Sequence, residues 1–224
     1  MEAAGAIKVW DPFVRVGHWL VVAGFFVSYV ASGGERGDAG LLIHVWAGYP
    51  VAAVLLLRLG WGFIGPRHAR FGSFLYSPLA VLPYLVDLVR GRAVRHLGHS
   101  PAGAAMIFTL MLAIAGTGFT GLWVYAQDSG TGPFSPWVAQ VERPARSPAA
   151  LAPGTLTPDR AAAFANRRPR SAMLSAHQLI GDATLWLVIL HIGGVLLASW
   201  AHGENLIKAM VNGRKRGPEP GEHA

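Results

Sequence analysis

The sequence predicts an all-α protein, a four-helix transmembrane bundle with both termini on the cytoplasmic side, and three observations predict it. Hydrophobic residues make up 52% of the 224 and charged residues only 14%, a balance unlike that of an ordinary soluble domain. The apolar residues collect in four long runs, about residues 13–31, 41–64, 102–126 and 173–200. As helices each is long enough to cross a hydrocarbon layer of ~30 Å. The basic residues gather in the connections beside those runs. The formal charge of +7 and the pI of about 10.4 therefore fit membrane topology, and no nucleic-acid partner is expected. Residues 1–224 read as a single membrane domain.

The first run follows a short mixed segment and begins after Pro12, which suits the first turn of a helix. Val30-Ala31-Ser32 has some likeness to a signal-peptidase site. The weakly basic start and the His18-Trp19 pair inside the run favour a retained span over a secretory leader. Gly33 to Gly40 reads as a polar turn. The second run carries His44 near its start, Pro50 inside and Arg58 near its end. A proline within a membrane helix frees a carbonyl and kinks the chain, which neighbouring helices can accommodate.

A basic connection from Gly65 to Pro101 contains an apolar stretch, PLAVLPYLVDLVRG, too short to span and broken by Pro78 and Pro83. It predicts a helix lying at the interface. The third run has no histidine but contains Gly116, Gly118 and Gly121, small residues that let a helix or a flat macrocycle approach the backbone. Residues 127–172, rich in Pro, Ala and Arg, predict a long outer loop with one short helix. After the fourth run the chain ends in a polar, basic tail.

Lysine and arginine orient the runs. With the N-terminus inside, twelve of the 19 basic residues fall on the cytoplasmic side. The other side keeps Arg36 and six arginines of the long loop, whose length weakens their effect on orientation. Trp61, Trp123 and Trp200 fall near span ends, as interfacial aromatics do.

The fourth run holds His177 and His191, fourteen residues apart. At about 1.5 Å and 100° per residue they lie ~21 Å apart on nearly the same helix face. His18 matches His191 in depth near the inner surface, and His44 matches His177 near the outer one. Pairing His18 with His177 would separate two ligands by most of the membrane. Four imidazoles at two depths therefore suggest two bis-histidine haems. A chain without Cys can bind them only non-covalently. Two axial imidazoles leave no open position on iron, so the site moves electrons rather than gas.

A single buried histidine is more often a packing residue, and a metal transporter would gather its ligands around one point rather than at two depths. Arg15 and Arg58 can pair with haem propionates at the inner side or snorkel to the interface. Asp182, the only acid in the four runs, is either a proton or quinone contact or a helix-packing hydrogen bond. His68, His96, His99, His202 and His223 are expected to be solvated.

Arg15-Val16-Gly17-His18-Trp19, His44 followed by Gly48-Tyr49, the segment from Trp61 to Phe71, Gly98-His99-Ser100-Pro101, and His177, His191 and Glu204-Asn205-Leu206 together resemble the bacterial di-haem cytochrome b561 family. That family includes the cytochrome b subunit of nickel–iron hydrogenases. The resemblance spans nearly the whole chain except residues 127–172. It implies a multi-pass cytochrome of the bacterial cytoplasmic (inner) membrane with two haem b groups. One would be shared by the first and fourth helices and the other by the second and fourth. Electrons would pass between quinone and a periplasmic or membrane-associated partner such as a cytochrome c. The long loop and basic tail depart from the smallest members. They leave open whether the chain is a free-standing superoxide–quinone oxidoreductase or a haem-bearing anchor subunit of a larger redox enzyme such as a hydrogenase.

Overall fold

The computed structural model describes residues 5–32, 37–141 and 172–218. Four helices in it are long and apolar enough to cross a membrane: Pro12–Ser32, Ala39–Ile64, Pro101–Ser129 and Ala172–Ala201. They belong to α1 (Pro12–Ser32), α2 (Gly37–Ile64), α4 (Pro101–Ser129) and α6 (Ala172–Ala201). Large apolar side chains along them, such as Phe26, Trp46, Leu112 and Trp186, are 68–76% exposed. Water would penalise such a surface, whereas lipid is its natural solvent, because a helix satisfies its own backbone there.

The helices run a few residues beyond the apolar runs. Gly37 to Gly40, read as part of a polar turn, is instead the first turn of α2. Once a long helix is nucleated, adding a flanking turn costs little, so composition misplaces ends by several residues. Pro50 lies inside α2, which continues through it. In the stretch 127–172, α4 extends to Ser129 and the expected short helix is α5 (Ser135–Val141). Residues 142–171 lie outside the described residues, as do Gly33 to Arg36 and His223.

The chain divides into two compact units, one of Met1–Ala115 with Ala183–Ala224 and one of Gly116–Asp182. In the first, α1 and α2 pack closely where glycine removes bulk. A Cβ added to Gly24 would stand 2.6 Å from a Val51 methyl, and one on Gly17 3.1 Å from Val54. Beyond the helix ends, three 3-10 turns (Arg67–Ala69, Phe71–Ser73, Pro78–Ala80) lead into α3 (Val81–Val89). Here α3 buries Leu88 and exposes Leu82 and Val89, and Leu79 just before it is exposed too. That pattern fits an interfacial helix.

The tail, expected to be merely polar and basic, is folded. Asn205 caps α7 (Leu206–Asn212) by accepting from the Lys208 N–H at 2.7 Å. Gly213, at φ 80°, ends that helix in the left-handed conformation glycine allows. The chain then forms β2 (Arg214–Lys215), which pairs antiparallel with β1 (Ile7–Lys8), Ile7 opposite Lys215. Val9, Trp10 and Ala209 form a small core beneath this ribbon. Buried Arg95 donates two hydrogen bonds to Glu204, at 3.1 and 2.9 Å, and others to the Arg216 and Gly217 carbonyls. Lys215 stands 3.5 Å from the same carboxylate and donates to the His96 carbonyl. A buried pair stabilises only when its remaining donors and acceptors are met, and here backbone groups meet them. N-terminus, connection and tail thus form one cap at one end of the first unit.

In the second unit, Phe119, Trp123, Phe134 and Trp137 pack ring to ring between α4 and the α5 region, with centroids 5.3–6.0 Å apart. Gly116 lies against Ile180, and Thr120 is buried.

Candidate haem-ligand site

Helices α1 and α6 bring His18 and His191 together. Their ring centroids are 6.5 Å apart with planes tilted by 59°. A metal–imidazole bond of about 2 Å on each side, plus about 1.1 Å from each nitrogen to its ring centre, separates two axial imidazoles by about 6 Å. The pair therefore has the spacing of two ligands on one iron, too wide for a hydrogen bond and too open for ring stacking. Trp19 meets His18 edge to face at 5.2 Å. The Nδ1 of His18 is buried with no hydrogen-bond partner among the described residues.

His44 lies in the first unit and His177 in the second. Each has its Nδ1 held in a similar way. Nδ1 of His44 is 2.9 Å from the Ser28 carbonyl and 3.0 Å from the Ser28 hydroxyl, which itself donates to the His44 carbonyl. Nδ1 of His177 is 3.1 Å from the Thr117 carbonyl and 3.2 Å from the Thr120 hydroxyl, which donates to the Gly116 carbonyl at 2.8 Å. A carbonyl can only accept, so Nδ1 carries the proton in both rings and Nε2 carries the lone pair. That is the tautomer of an imidazole that binds metal through Nε2 while donating its other N–H to protein.

The surroundings fit a flat macrocycle. Gly48 and Gly181 sit one helical turn beyond His44 and His177, and Gly193 and Gly194 just beyond His191. A Cβ added at any of the four would meet nothing within 4 Å. Gly121 does the opposite: its missing side chain admits the His177 ring, which a Cβ would approach to 2.9 Å. Arg15 donates to the Asn212 carbonyl at 3.3 Å. Arg58 donates to the Ala69 carbonyl at 3.0 Å and lies over the Phe71 ring at 4.9 Å. The Arg15 Nε and Arg58 Nη1 are buried without a partner among the described residues, so each guanidinium keeps a donor for an anion.

Two parts of the sequence reading change here. Ser28 and Thr120, which orient the imidazoles, were not foreseen. Thr120 is three residues after Thr117 on one helix face, a visible but unspecific signal. His99, expected to be solvated, lies between Trp10 at 4.6 Å and Phe74 at 4.2 Å, with its Nδ1 buried. Burial, with the positive charges of Arg58, Lys215 and His68 nearby, pushes its pKa down to about 3. It was misread because it sits in a connection, and the folded cap encloses that connection. His96 and His202 are also partly enclosed, packing on or bonding to Tyr84.

A profile of the prokaryotic cytochrome b561 family matches residues 9–213. Among curated proteins, the chain is 28% identical to a probable Ni/Fe-hydrogenase B-type cytochrome subunit of Rhodobacter capsulatus, over 57% of this chain and 58% of that one. A protein of the same description from Rhizobium leguminosarum bv. viciae is 28% identical over 56% and 62%. The probable Ni/Fe-hydrogenase 1 B-type cytochrome subunit of Escherichia coli (strain K12) is 27% identical over 60% and 66%. The chain thus spans less than two thirds of the length of these relatives. No solved structure matches it. A match over nearly all of a chain with four apolar helices decides the family: the chain belongs to the prokaryotic cytochrome b561 family, b-type cytochromes of the bacterial inner membrane.

Proposed function

We propose that this chain passes electrons across or along the membrane through two bis-histidine b haems. His18 and His191 hold one haem and His44 and His177 the other, with Arg15 and Arg58 on the carboxylates of the first. The observation that carries this reading is the 6.5 Å spacing of His18 and His191. The Nδ1–H tautomers of His44 and His177 support it for the second haem. When bound, haem b supplies a one-electron couple at an iron with no position left for oxygen. The chain's own residues do the rest. They fix the imidazoles, exclude water with apolar helices and place positive charge at the cap end of the helices. Quinone dissolved in the bilayer is the proposed partner on one side, with a periplasmic or membrane-associated redox protein on the other and both termini cytoplasmic. Reduced-minus-oxidised absorbance of the purified protein tests the reading. Low-spin b-type bands from two haems per chain support it, and a chain purified without such bands contradicts it.

A second reading makes the chain a haem-bearing anchor of a larger redox enzyme. The names of its relatives favour it, since each is called a hydrogenase cytochrome subunit. Recovery of a nickel–iron enzyme with the tagged chain from mild detergent would support that role. Quinone reduction by the isolated chain in the presence of superoxide would support a free-standing oxidoreductase instead.

A further inference from the structure

At the cap end of the first unit, four buried nitrogens have no hydrogen-bond partner among the described residues: Nε of Arg15, Nη1 of Arg58, Nε1 of Trp61 and Nδ1 of His99. A continuous set of contacts joins them. His99 packs on Trp10, and both the Trp10 carbonyl and the Arg15 guanidinium adjoin Gly213. On its other side His99 packs on Phe74, Phe74 on Phe71, and Phe71 lies under Arg58. Trp61 is three residues after Arg58 on α2 and packs on Phe13, which is two residues before Arg15 on α1.

Among the nearby acids, Asp11 acts on Arg58 through its charge but is not hydrogen-bonded to it among the described residues. Asp11 accepts from the Val14 N–H at the start of α1, and Glu204 is held by Arg95 and Lys215. Buried polar nitrogens without partners are rare because each forfeits its hydration. The Arg15, Arg58 and Trp61 nitrogens can only donate, two of them on guanidinium groups, and the His99 Nδ1 donates in one of its two tautomers, so the patch calls for a ligand that brings acceptor oxygens and negative charge. The depressed basicity of His99, caused first by its burial and then by the Arg58, Lys215 and His68 charges nearby, agrees with a patch that holds cations close to a buried ring.

We propose that Arg15, Arg58, Trp61 and His99 form an oxyanion cradle that receives the carboxylates of the haem held by His18 and His191. This rests on the haem reading above and adds two residues, Trp61 and His99, to its binding set. Arg15 lies three residues before His18 on α1, one turn or ~4.5 Å nearer the cap. An anionic lipid headgroup offers the same oxygen chemistry and is the rival source.

The test follows haem transfer from the purified holoprotein to apomyoglobin. Trp61→Phe keeps the ring and removes its N–H, and His99→Leu removes the imidazole donor. Each should speed loss of one of the two haems several-fold, while His99→Asn, which restores a donor at the Nδ1 position, should recover much of the retention. Protein reconstituted with haem dimethyl ester separates the sources. If the cradle holds haem carboxylates, the gap between wild type and Trp61→Phe then shrinks, because a neutral ester oxygen accepts more weakly than a carboxylate. Unchanged haem transfer in both variants, or an undiminished difference with the ester, overturns the proposal. A wild-type chain that carries no haem would instead remove the reading on which it rests.

Discussion

The His18–His191 pair and the two histidines proposed for a second haem, His44 and His177, look alike in sequence, yet their settings differ. Nδ1 of His44 and of His177 each donates to a backbone carbonyl and shares a hydroxyl, whereas Nδ1 of His18 has no partner among the described residues. Donating that proton to a carbonyl makes an imidazole a stronger electron donor to its metal. A stronger donor favours ferric over ferrous iron. If each pair holds a haem as proposed, the two haems need not have the same potential, because the hydrogen bond behind a ligand tunes its iron. In this account the haem of His44 and His177 has the lower potential, and electrons settle on the haem of His18 and His191.

The largest expected effect breaks the comparison by removing one side of it. His44→Ala or His177→Ala should lower the haem content from two to one per chain and spare the higher-potential couple, as a redox titration followed by absorbance would show. Loss of the higher-potential couple instead would reverse the assignment.

The cap makes the second difference, because it closes the end of the unit that carries His18 and His191. Glu204→Gln leaves the buried Arg95 guanidinium without its charge partner, a loss of about 3 kcal/mol when such a pair is broken from one side. Thermal release of haem should begin at lower temperature in this variant, with the higher-potential couple lost first. Simultaneous loss of both couples would mean that the cap supports the whole chain equally.

Acid should act in the same direction. Burial pushes the Glu204 carboxyl up, but hydrogen bonds from Arg95 and the Arg216 N–H, with the Lys215 charge, outweigh it and hold the group below the usual 4.5. Its contribution is therefore complete above 4.5 and is lost as pH falls through the lowered folded value. His99, depressed from 6.5 to about 3, binds a proton in the unfolded chain before it does so in the folded one. Its folded form is thus favoured fully above 6.5 and progressively less below. Melting of the haem-free protein should be insensitive to pH above about 6.5 and decline below it, and His99→Leu should flatten the upper part of that decline. A bound carboxylate raises the imidazole's pKa, so the same window should be narrower with haem present.

The smallest effects sharpen the comparison without breaking it. Ser28→Ala and Thr120→Val each remove a hydroxyl that shares the Nδ1–H but leave the carbonyl in place. A hydrogen bond of roughly 1 kcal/mol corresponds to about 40 mV for a one-electron couple. Only the lower-potential couple should rise, by at most that amount, and Ser28→Thr and Thr120→Ser should leave it in place.

The four spans and the nearness of His18 to His191 were legible in the sequence because both follow from periodicity and spacing. A helix of known rise puts His177 and His191 on one face, and lipid demands long apolar runs. The cap was not legible. Arg95 lies more than a hundred residues before Glu204 and Lys215, and no spacing rule links them until the ribbon of Ile7–Lys8 with Arg214–Lys215 closes the cap. His99 was hidden for the same reason, since only its enclosure by Trp10 and Phe74 distinguishes it from the other connection histidines. Ser28 and Thr120 are common helix residues whose role depends on which neighbouring helix faces them.

The central claim is that His18 and His191 serve a single iron. Haem content of His18→Ala, His191→Ala and the double variant tests it most directly. The account predicts one haem per chain in all three, with the same lower-potential couple remaining. A double variant without haem, or single variants that retain different couples, would contradict it.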